Sequence, residues 1–320
     1  MKFAFSFAVI LALLAAPAAR AEDYPSRPIH VLTTSSAGGL SDIFMRVLNE
    51  ALRDRIGQPL IIDNKPGGGG NIAARTCQDA APDGYTICII NADTMIYNEF
   101  LFKQVPFNPE KGLTPIVNLF HLIQVLVVDS SLNAKTVDEL VAVSKAKPGT
   151  LNYLTAAIPC VVYMDRLKRD KGADWVRVPF RGGGEAVSAI LGGTTPIGLI
   201  GLGNVTAHIK AGKMTALALV NNIRTPLLPN VPTLADLGYT GAPSQTWYGL
   251  FAPAGTPKAF IDKLNSEIVK VVSDPAFQEK YIFSRGLVPA INTPEEFAKQ
   301  ITEERAGAKE VVKESGMEPQ

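Results

Sequence analysis

An excess of charge of either sign is missing from this sequence. Its 320 residues carry 31 basic and 30 acidic side chains, a net charge of +1, with no run of like charges. Such a chain has no global field to attract nucleic acid or an anionic membrane, so neither is expected as a partner, and a charged ligand has to be recognised locally. Histidine is scarce, with only His30, His121 and His208, and none stands at metal-ligand spacing from another histidine or a cysteine. No metal site and no cofactor are expected on that ground. The glycine cluster Gly67-Gly68-Gly69-Gly70 runs into Asn71 and forms neither a dinucleotide fingerprint nor a phosphate-binding Gly-Lys-Ser/Thr loop. Gly-x-Ser-x-Gly and His-Glu-x-x-His are absent too. Ser35 or Ser36 beside a glycine turn imitates a nucleophile, yet no base accompanies it, which leaves a serine hydrolase as a remote alternative and the chain as a non-enzyme.

Long hydrophobic runs are confined to one place. After Lys2 an apolar stretch covers residues 3–16, followed by Pro17 and Ala19-Arg20-Ala21. This is the pattern of a secretory signal peptide cut before Glu22, and the run is too short to persist as a membrane span. No cysteine follows the predicted cut, so no lipid anchor is expected and the mature chain is expected to be soluble and periplasmic. Cysteine is nearly absent, and the count of three is odd. Cys77 falls late on a predicted helix and Cys88 in the strand after the Pro82-Asp83-Gly84 turn. A bridge between them is conceivable in an exported protein, but two buried free thiols are the expectation. Cys160 reads as a small residue in a packed loop.

What is present is a globular composition, 47% hydrophobic and 19% charged, long enough for two lobes. The stretch Thr34-Ser35-Ser36-Ala37-Gly38-Gly39-Leu40-Ser41-Asp42 follows an apolar strand ending at Leu32 and precedes Phe44, Val47, Leu48, Ala51 and Leu52 at helical spacing. A small-residue turn at a helix start leaves backbone N–H groups open to an anion, whereas the bland alternative is a capped helix and a tight turn. Strands over 59–63 and 85–90, with a helix over 71–80 between them, extend the βα pattern. Residues 114–129 are rich in β-formers and long enough to pass from one lobe to another. Thr136 and Glu139 predict a capping box for a helix over 137–146. The order of strand, small turn, helix, strand, glycine cluster, helix and strand then recurs between residues 151 and 200. Two lobes of one topology, each presenting strand ends and helix N-termini on one side, face each other across a cleft. The fold class expected is α/β, each lobe a mostly parallel sheet flanked by helices.

The ordered series of short motifs resembles the substrate-binding proteins of tripartite tricarboxylate transporters, also called the Bug family. It runs through Tyr24-Pro25-Ser26-Arg27-Pro28-Ile29, Gly38-Gly39 with Asp42, Gly57-Gln58-Pro59, Asn64-Lys65-Pro66-Gly67, and Pro82-Asp83-Gly84-Tyr85-Thr86. It continues through Lys147-Pro148-Gly149, Val178-Pro179-Phe180-Arg181-Gly182, Ile209-Lys210-Ala211-Gly212-Lys213 and Ala252-Pro253-Ala254-Gly255-Thr256-Pro257. The resemblance implies a type II periplasmic binding protein, monomeric, that closes around a small carboxylate and delivers it to membrane transporter subunits. A periplasmic ligand-sensing partner of a sensor kinase is the alternative. It also implies a signal peptide over 1–21, a first lobe of 22–121 and 225–320, and a second lobe of 122–224.

Carried onto this chain, the family's two carboxylate-holding loops contain Ser35, Ser36, Ala37, Gly38, Gly39 and Ser41 on one side and Thr155, Ala156, Ala157 and Cys160 on the other. Tyr97, Asn98, Tyr163, Phe180, Asn204 and Trp247 are candidates for the distal pocket, and their aromatic content suits an aromatic or hydrophobic carboxylate. Departures from the pattern are local. Thr34-Ser35-Ser36-Ala37 stands where relatives have Pro-Phe-Ala-Pro, Tyr163 where a histidine is frequent, and Arg181 at a basic position read as structural. The acid often found near Ile200 is missing, which argues against an amino-acid ligand, because an ammonium would want a carboxylate partner.

Overall fold

The structure is a computed structural model that describes residues 24–155, 157–178, 183–220, 223–238 and 246–319. The predicted signal peptide lies outside them. The first run of elements is β1 (Ile29–Thr33), α1 (Leu40–Ile56), β2 (Leu60–Asn64), α2 (Asn71–Gln78), β3 (Thr86–Asn91), a π-helical turn (Asp93–Tyr97), α3 (Asn98–Leu101) and β4 (Leu113–Leu122). The second is β5 (Gln124–Asp129), α4 (Val137–Ala146), β6 (Asn152–Leu154), α5 (Ile158–Lys171), β7 (Val176–Arg177), α6 (Gly183–Leu191), β8 (Ile197–Gly201), α7 (Leu202–Lys210) and β9 (Met214–Leu219). The chain then returns through β10 (Trp247–Pro253), α8 (Lys258–Val272), α9 (Pro275–Phe277), β11 (Leu287–Pro289) and α10 (Pro294–Glu314).

Two sheets result, in the orders β11-β4-β10-β3-β1-β2 and β7-β6-β8-β5-β9. Both are mixed, which qualifies the expectation of mostly parallel sheets. The βα units pair in parallel, β1 with β2 and β3, and β6 with β7 and β8. The strands that carry the chain between lobes or return it add on antiparallel, namely β4, β10 and β11 in one sheet and β5 and β9 in the other. Only Ile123 separates β4 from β5. Its N–H donates to the Gly286 carbonyl (3.2 Å) and its own carbonyl accepts from the Leu202 N–H (2.8 Å), so one buried residue ties the two sheets together.

Local sequence explains the elements around the cleft. In α1 the apolar positions Phe44, Met45, Leu48, Leu52 and Ile56 form one buried face, and Gly57 ends the helix at φ 73°, a left-handed position suited to glycine. Thr136 caps α4 by accepting the Glu139 N–H (3.1 Å). The reciprocal Glu139 carboxylate reaches the Lys135 N–H (2.6 Å), one residue ahead of the cap. Thr293 and Glu296 form both halves of a capping box on α10. On one face of the first sheet Phe44, Leu48, Phe120, Leu250 and Ile261 pack together, and on the other Trp247, Phe251 and Phe297 do so. Gly249 in β10 is required there, since a Cβ would stand 2.3 Å from the Phe297 ring. Among the described residues no helix is long and apolar enough to cross a membrane.

The free-thiol expectation for Cys77 and Cys88 is overturned. The two are joined by a disulfide, with Cα atoms 6.1 Å apart. The last turn of α2 lies directly on β3, and the tight turn at Gly84 leaves the two side chains facing each other inside the core; helical and strand spacing alone did not reveal that approach. Cys160 is free and buried. β7 is an edge element with Val176 exposed, and Trp175 just before it turns inward into the second core. A loop closure across a sequence separation of 11 contributes about 2–3 kcal/mol in the chain-entropy account. The double substitution Cys77→Ala, Cys88→Ala is therefore expected to lower the unfolding free energy by that amount, read as a lower urea midpoint, and wild type refolded under reducing conditions should show a similar loss. Equal midpoints for all three samples would remove the bridge from the stability of the fold.

Candidate functional site

The first loop is held by a polar network built from the ends of β1 and β2. Thr33 Oγ1 donates to the Ser35 carbonyl (3.0 Å), and Asn64 Nδ2 donates to Thr33 Oγ1 (2.9 Å), the Ser35 carbonyl (3.0 Å) and Asp42 Oδ1 (3.1 Å). The second oxygen of Asp42 accepts the Gly38 N–H (2.9 Å), and Arg46, one turn along α1, grips the carboxylate through Nε and Nη2. The Arg46 hydrogen bonds, followed by those from Gly38 and Asn64, pull the Asp42 carboxyl down to about 2 in spite of its burial. Gly38 turns at φ 82°, and at Gly39 a Cβ would stand 2.6 Å from that of Ser35. The Gly39 N–H is bonded to the Ser36 carbonyl and Ser35 Oγ to Ser41 Oγ. The N-terminus of α1 thus already carries an acid of its own, which narrows the open anion site that the small-residue turn suggests.

The second loop differs. Beyond β6, α5 begins at Ile158 with Pro159 in its first turn, no side-chain cap at Ala157 and no acid in that turn. Thr155 and Cys160 are both buried, and burial pushes the Cys160 thiol up to about 12. The thiol is neutral at any physiological pH.

Between the two loops lies a cavity of about 400 Å³. Thr34 and Ser35 reach it from the first loop and Ile158 from the second. Gly67, Gly69 and Gly70 come from the β2–α2 turn, and Asn91, Asp93, Asn98, Phe102, Tyr248 and Met317 complete the wall. The glycine turn is pinned by Thr94 Oγ1 (2.8 Å) and Asn98 Nδ2 (3.0 Å), both donating to the Gly69 carbonyl. A Cβ on Gly70 would sit 2.2 Å from Thr94 Oγ1, so these glycines serve close packing rather than phosphate binding. Burial raises the Asp93 carboxyl to about 6. Tyr248 is pushed up to about 12 by burial and then by the Asp93 charge. A second cavity, of about 430 Å³, lies between α10 and the π-helical turn and is lined wholly by the first lobe and the C-terminal helix, away from the interlobe loops.

The candidate residues divide by place. Ser35 lines the interlobe cavity, Ser36, Ala37 and Gly38 are exposed beside it, and Gly39 and Ser41 stand behind. Thr155, Ala157, Cys160 and Tyr163 are buried in the second lobe, the last three in its core; Tyr97 and Trp247 belong to the first. Trp247 Nε1–H is bonded to Glu304 (2.8 Å). Asn204 is exposed at the start of α7, its amide donating to the Gly201 carbonyl (3.3 Å). Ala156, Phe180 and Arg181 lie outside the described residues. Thr34, Asn91, Asp93, Phe102, Ile158, Tyr248 and Met317 line the cavity without having been singled out for it. For Asp93 a signal exists, since Asn91-Ala92-Asp93-Thr94 ends the apolar run of residues 87–90 at the same strand-to-helix position as the first loop. Met317 has none, because it arrives from the far end of the chain.

The family profile described as "Tripartite tricarboxylate transporter family receptor" matches residues 44–317. The chain belongs to this family. The receptor is 31% identical to Protein BugT of Bordetella pertussis over 306 residues, 95% of this chain and 93% of that one. Its fold matches the solved periplasmic binding protein BugD with a TM-score of 0.79 at 27% identity, covering 93% of this chain and 100% of that one. It also matches MatC from Rhodopseudomonas palustris, solved with bound malate, with a TM-score of 0.76 at 27% identity, covering 90% and 100%. These are binding proteins and not enzymes, in keeping with Ser35, whose hydroxyl partner in the receptor is another serine.

Asp42→Asn is expected to destabilise the receptor by about 1–3 kcal/mol, the usual cost of breaking a buried charged network. The sign with pH follows from a folded pKa below the ordinary 3.8: the contribution is complete above about pH 4 and is lost as pH falls towards about 2. Urea midpoints of wild type and variant should therefore differ at neutral pH and converge in acid. A constant gap across that range would detach Asp42 from the stability of the loop.

Proposed function

We propose that this receptor is a periplasmic solute-binding protein that captures a small carboxylate, aromatic or dicarboxylic, between its lobes and delivers it to the membrane subunits of a tripartite tricarboxylate-type transporter. The observation that carries the proposal is the cavity between the two strand-to-helix loops. It has hydroxyls from Thr34 and Ser35 on one side and the start of α5, free of acids in its first turn, on the other. Anion binding by such groups uses N–H and O–H dipoles and needs no buried counter-charge, in keeping with a net charge of +1. The malate bound in MatC is a carboxylate of this size, and Phe102 and Tyr248 offer apolar faces to a longer or aromatic one.

The lobes of this reading are 22–121 with 225–320, and 122–224, closing about Ile123 as a monomer. A signal peptide over 1–21, cut before Glu22, delivers the chain to the periplasm. The carboxylate sits near Ser35, Ser36, Ala37, Gly38, Gly39 and Ser41 on one side and Thr155, Ala156, Ala157 and Cys160 on the other.

A thermal-shift screen of mono-, di- and tricarboxylates, aliphatic and aromatic, tests the ligand class. A true ligand at a hundredfold excess over its Kd stabilises the folded state by about 2.7 kcal/mol. Ser35→Asp, which introduces like charge into the cavity, should weaken the responding carboxylate by about tenfold, or about 1.4 kcal/mol. A response restricted to neutral sugars or simple amines would end the carboxylate reading, and an unchanged affinity in Ser35→Asp would move the site elsewhere.

A further inference from the structure

The cavity holds one acid whose side chain none of the described residues satisfies. Asp93 opens the π-helical turn after β3 and is half-buried on the cavity wall. Among the described residues no lysine, arginine or histidine forms an ion pair with it, in contrast to Asp42 and its Arg46. The groups that sense its charge are Tyr248 from the first sheet and Cys160 from the second lobe, so the carboxylate lies within electrostatic reach of both sides of the cleft. Both neighbours are neutral, and neither offers a positive charge. The nearby pair Arg305–Glu99 is closed on itself (2.8 Å) and faces the outer cavity against α10.

We infer that Asp93 is the second anchor of the ligand site and that the carboxylate captured here also carries an ammonium group, which docks on Asp93 while its carboxylate meets the Thr34–Ser35 hydroxyls and the start of α5. The inference rests on the carboxylate reading above and specifies its class as amino-substituted carboxylates. Sequence points the other way, since the acid missing near Ile200 removes the expected partner for an ammonium; the fold supplies an acid from a different element, at the end of β3. The physical ground is the cost of the empty state. A half-buried carboxylate without a counter-charge is unfavourable, as its rise to about 6 records, and a plain di- or tricarboxylate beside it would add repulsion. An ammonium removes both penalties with a charge-assisted hydrogen bond. Asn91, Asn98 and Tyr248 on the same wall have polar atoms for the rest of a zwitterion.

Isothermal titration with matched probes tests this: succinate against aspartate, glutarate against glutamate, and benzoate against 4-(aminomethyl)benzoate, each with wild type and with Asp93→Asn. The expected result is that the amino member of at least one pair binds wild type at least about tenfold more tightly than its plain partner, and that Asp93→Asn abolishes this preference. The variant should also keep or raise the melting temperature, since it removes an unpaired charge, which separates a lost anchor from a lost fold. Between about pH 5 and about pH 7.5 the affinity of wild type for the amino probe should rise as Asp93 ionises, and Asp93→Asn should flatten that profile. Cys160 and Tyr248, both held near 12, do not titrate in this range. Carboxylates that bind with no preference for the amino member, and equally in Asp93→Asn, overturn the role of Asp93 and leave the carboxylate reading standing. A protein that binds none of the six probes and none of the wider carboxylates overturns both.

Discussion

The chain first passes from one sheet to the other through a single residue, Ile123, and the geometry of the cleft depends on that passage. Ile123 has no freedom to drift, because its N–H is bonded to Gly286 of the first lobe and its carbonyl to Leu202 of the second. The flanking positions are stapled too, Leu122 to the Thr246 carbonyl and Val220 to the Gln124 carbonyl. Close backbone approach makes this possible. A Cβ on Gly203 would stand 2.3 Å from the Arg285 carbonyl, and one on Gly286 2.8 Å from the Gly203 nitrogen. With the crossing fixed, the parallel βα units of both sheets end on the facing sides, and their loops meet over the interlobe cavity. Another bridge between lobes is Arg166 of α5 on Glu314 at the end of α10 (2.7 and 2.8 Å). Both side chains are about a third exposed, so this pair contributes at most about 1 kcal/mol and leaves room for a ligand to decide how tightly the lobes associate.

Much of this was legible in the sequence where the signal is local. The apolar face of α1, the Thr136 cap and the long β-rich run that becomes β4 and β5 are all written in neighbouring residues. The repeated order of small turns and glycine clusters pointed to two lobes and a cleft for the same reason. What was not legible depends on tertiary approach. The Cys77–Cys88 bridge needs the angle at which α2 lies on β3, and hydrophobic spacing does not encode that angle. Tyr97 and Trp247 are aromatic and close in sequence to cavity-lining residues, yet a π-helical turn and the alternation of β10 send both into the core, while Phe102 and Tyr248 take the wall. A shift of one position along a strand exchanges the two faces, so chemical type without register cannot choose between neighbours such as Trp247 and Tyr248. Met317 enters the cavity only because α10 runs back along the whole first lobe.

The two strand-to-helix acids of the first lobe show how one chemical group is put to opposite uses. Asp42 follows β1 and is surrounded by donors: the Gly38 N–H, the Asn64 amide and the Arg46 guanidinium. Its charge is settled within the loop, its pKa falls to about 2, and it has no capacity left for a ligand. Asp93 follows β3 at the corresponding strand-to-helix passage but has no such partners among the described residues, and its pKa moves the other way, to about 6. A fold needs only the first kind of acid to shape a loop. An acid of the second kind costs stability wherever it is buried, and is tolerable beside a cavity that a ligand completes. The same contrast holds across the cleft, where α5 begins with no acid in its first turn. Taken along the cavity, the wall runs from the start of α5 and the Thr34 and Ser35 hydroxyls to a carboxylate with no ion-pair partner among the described residues, and the proposed ligand, with a negative end and a positive one, matches that order.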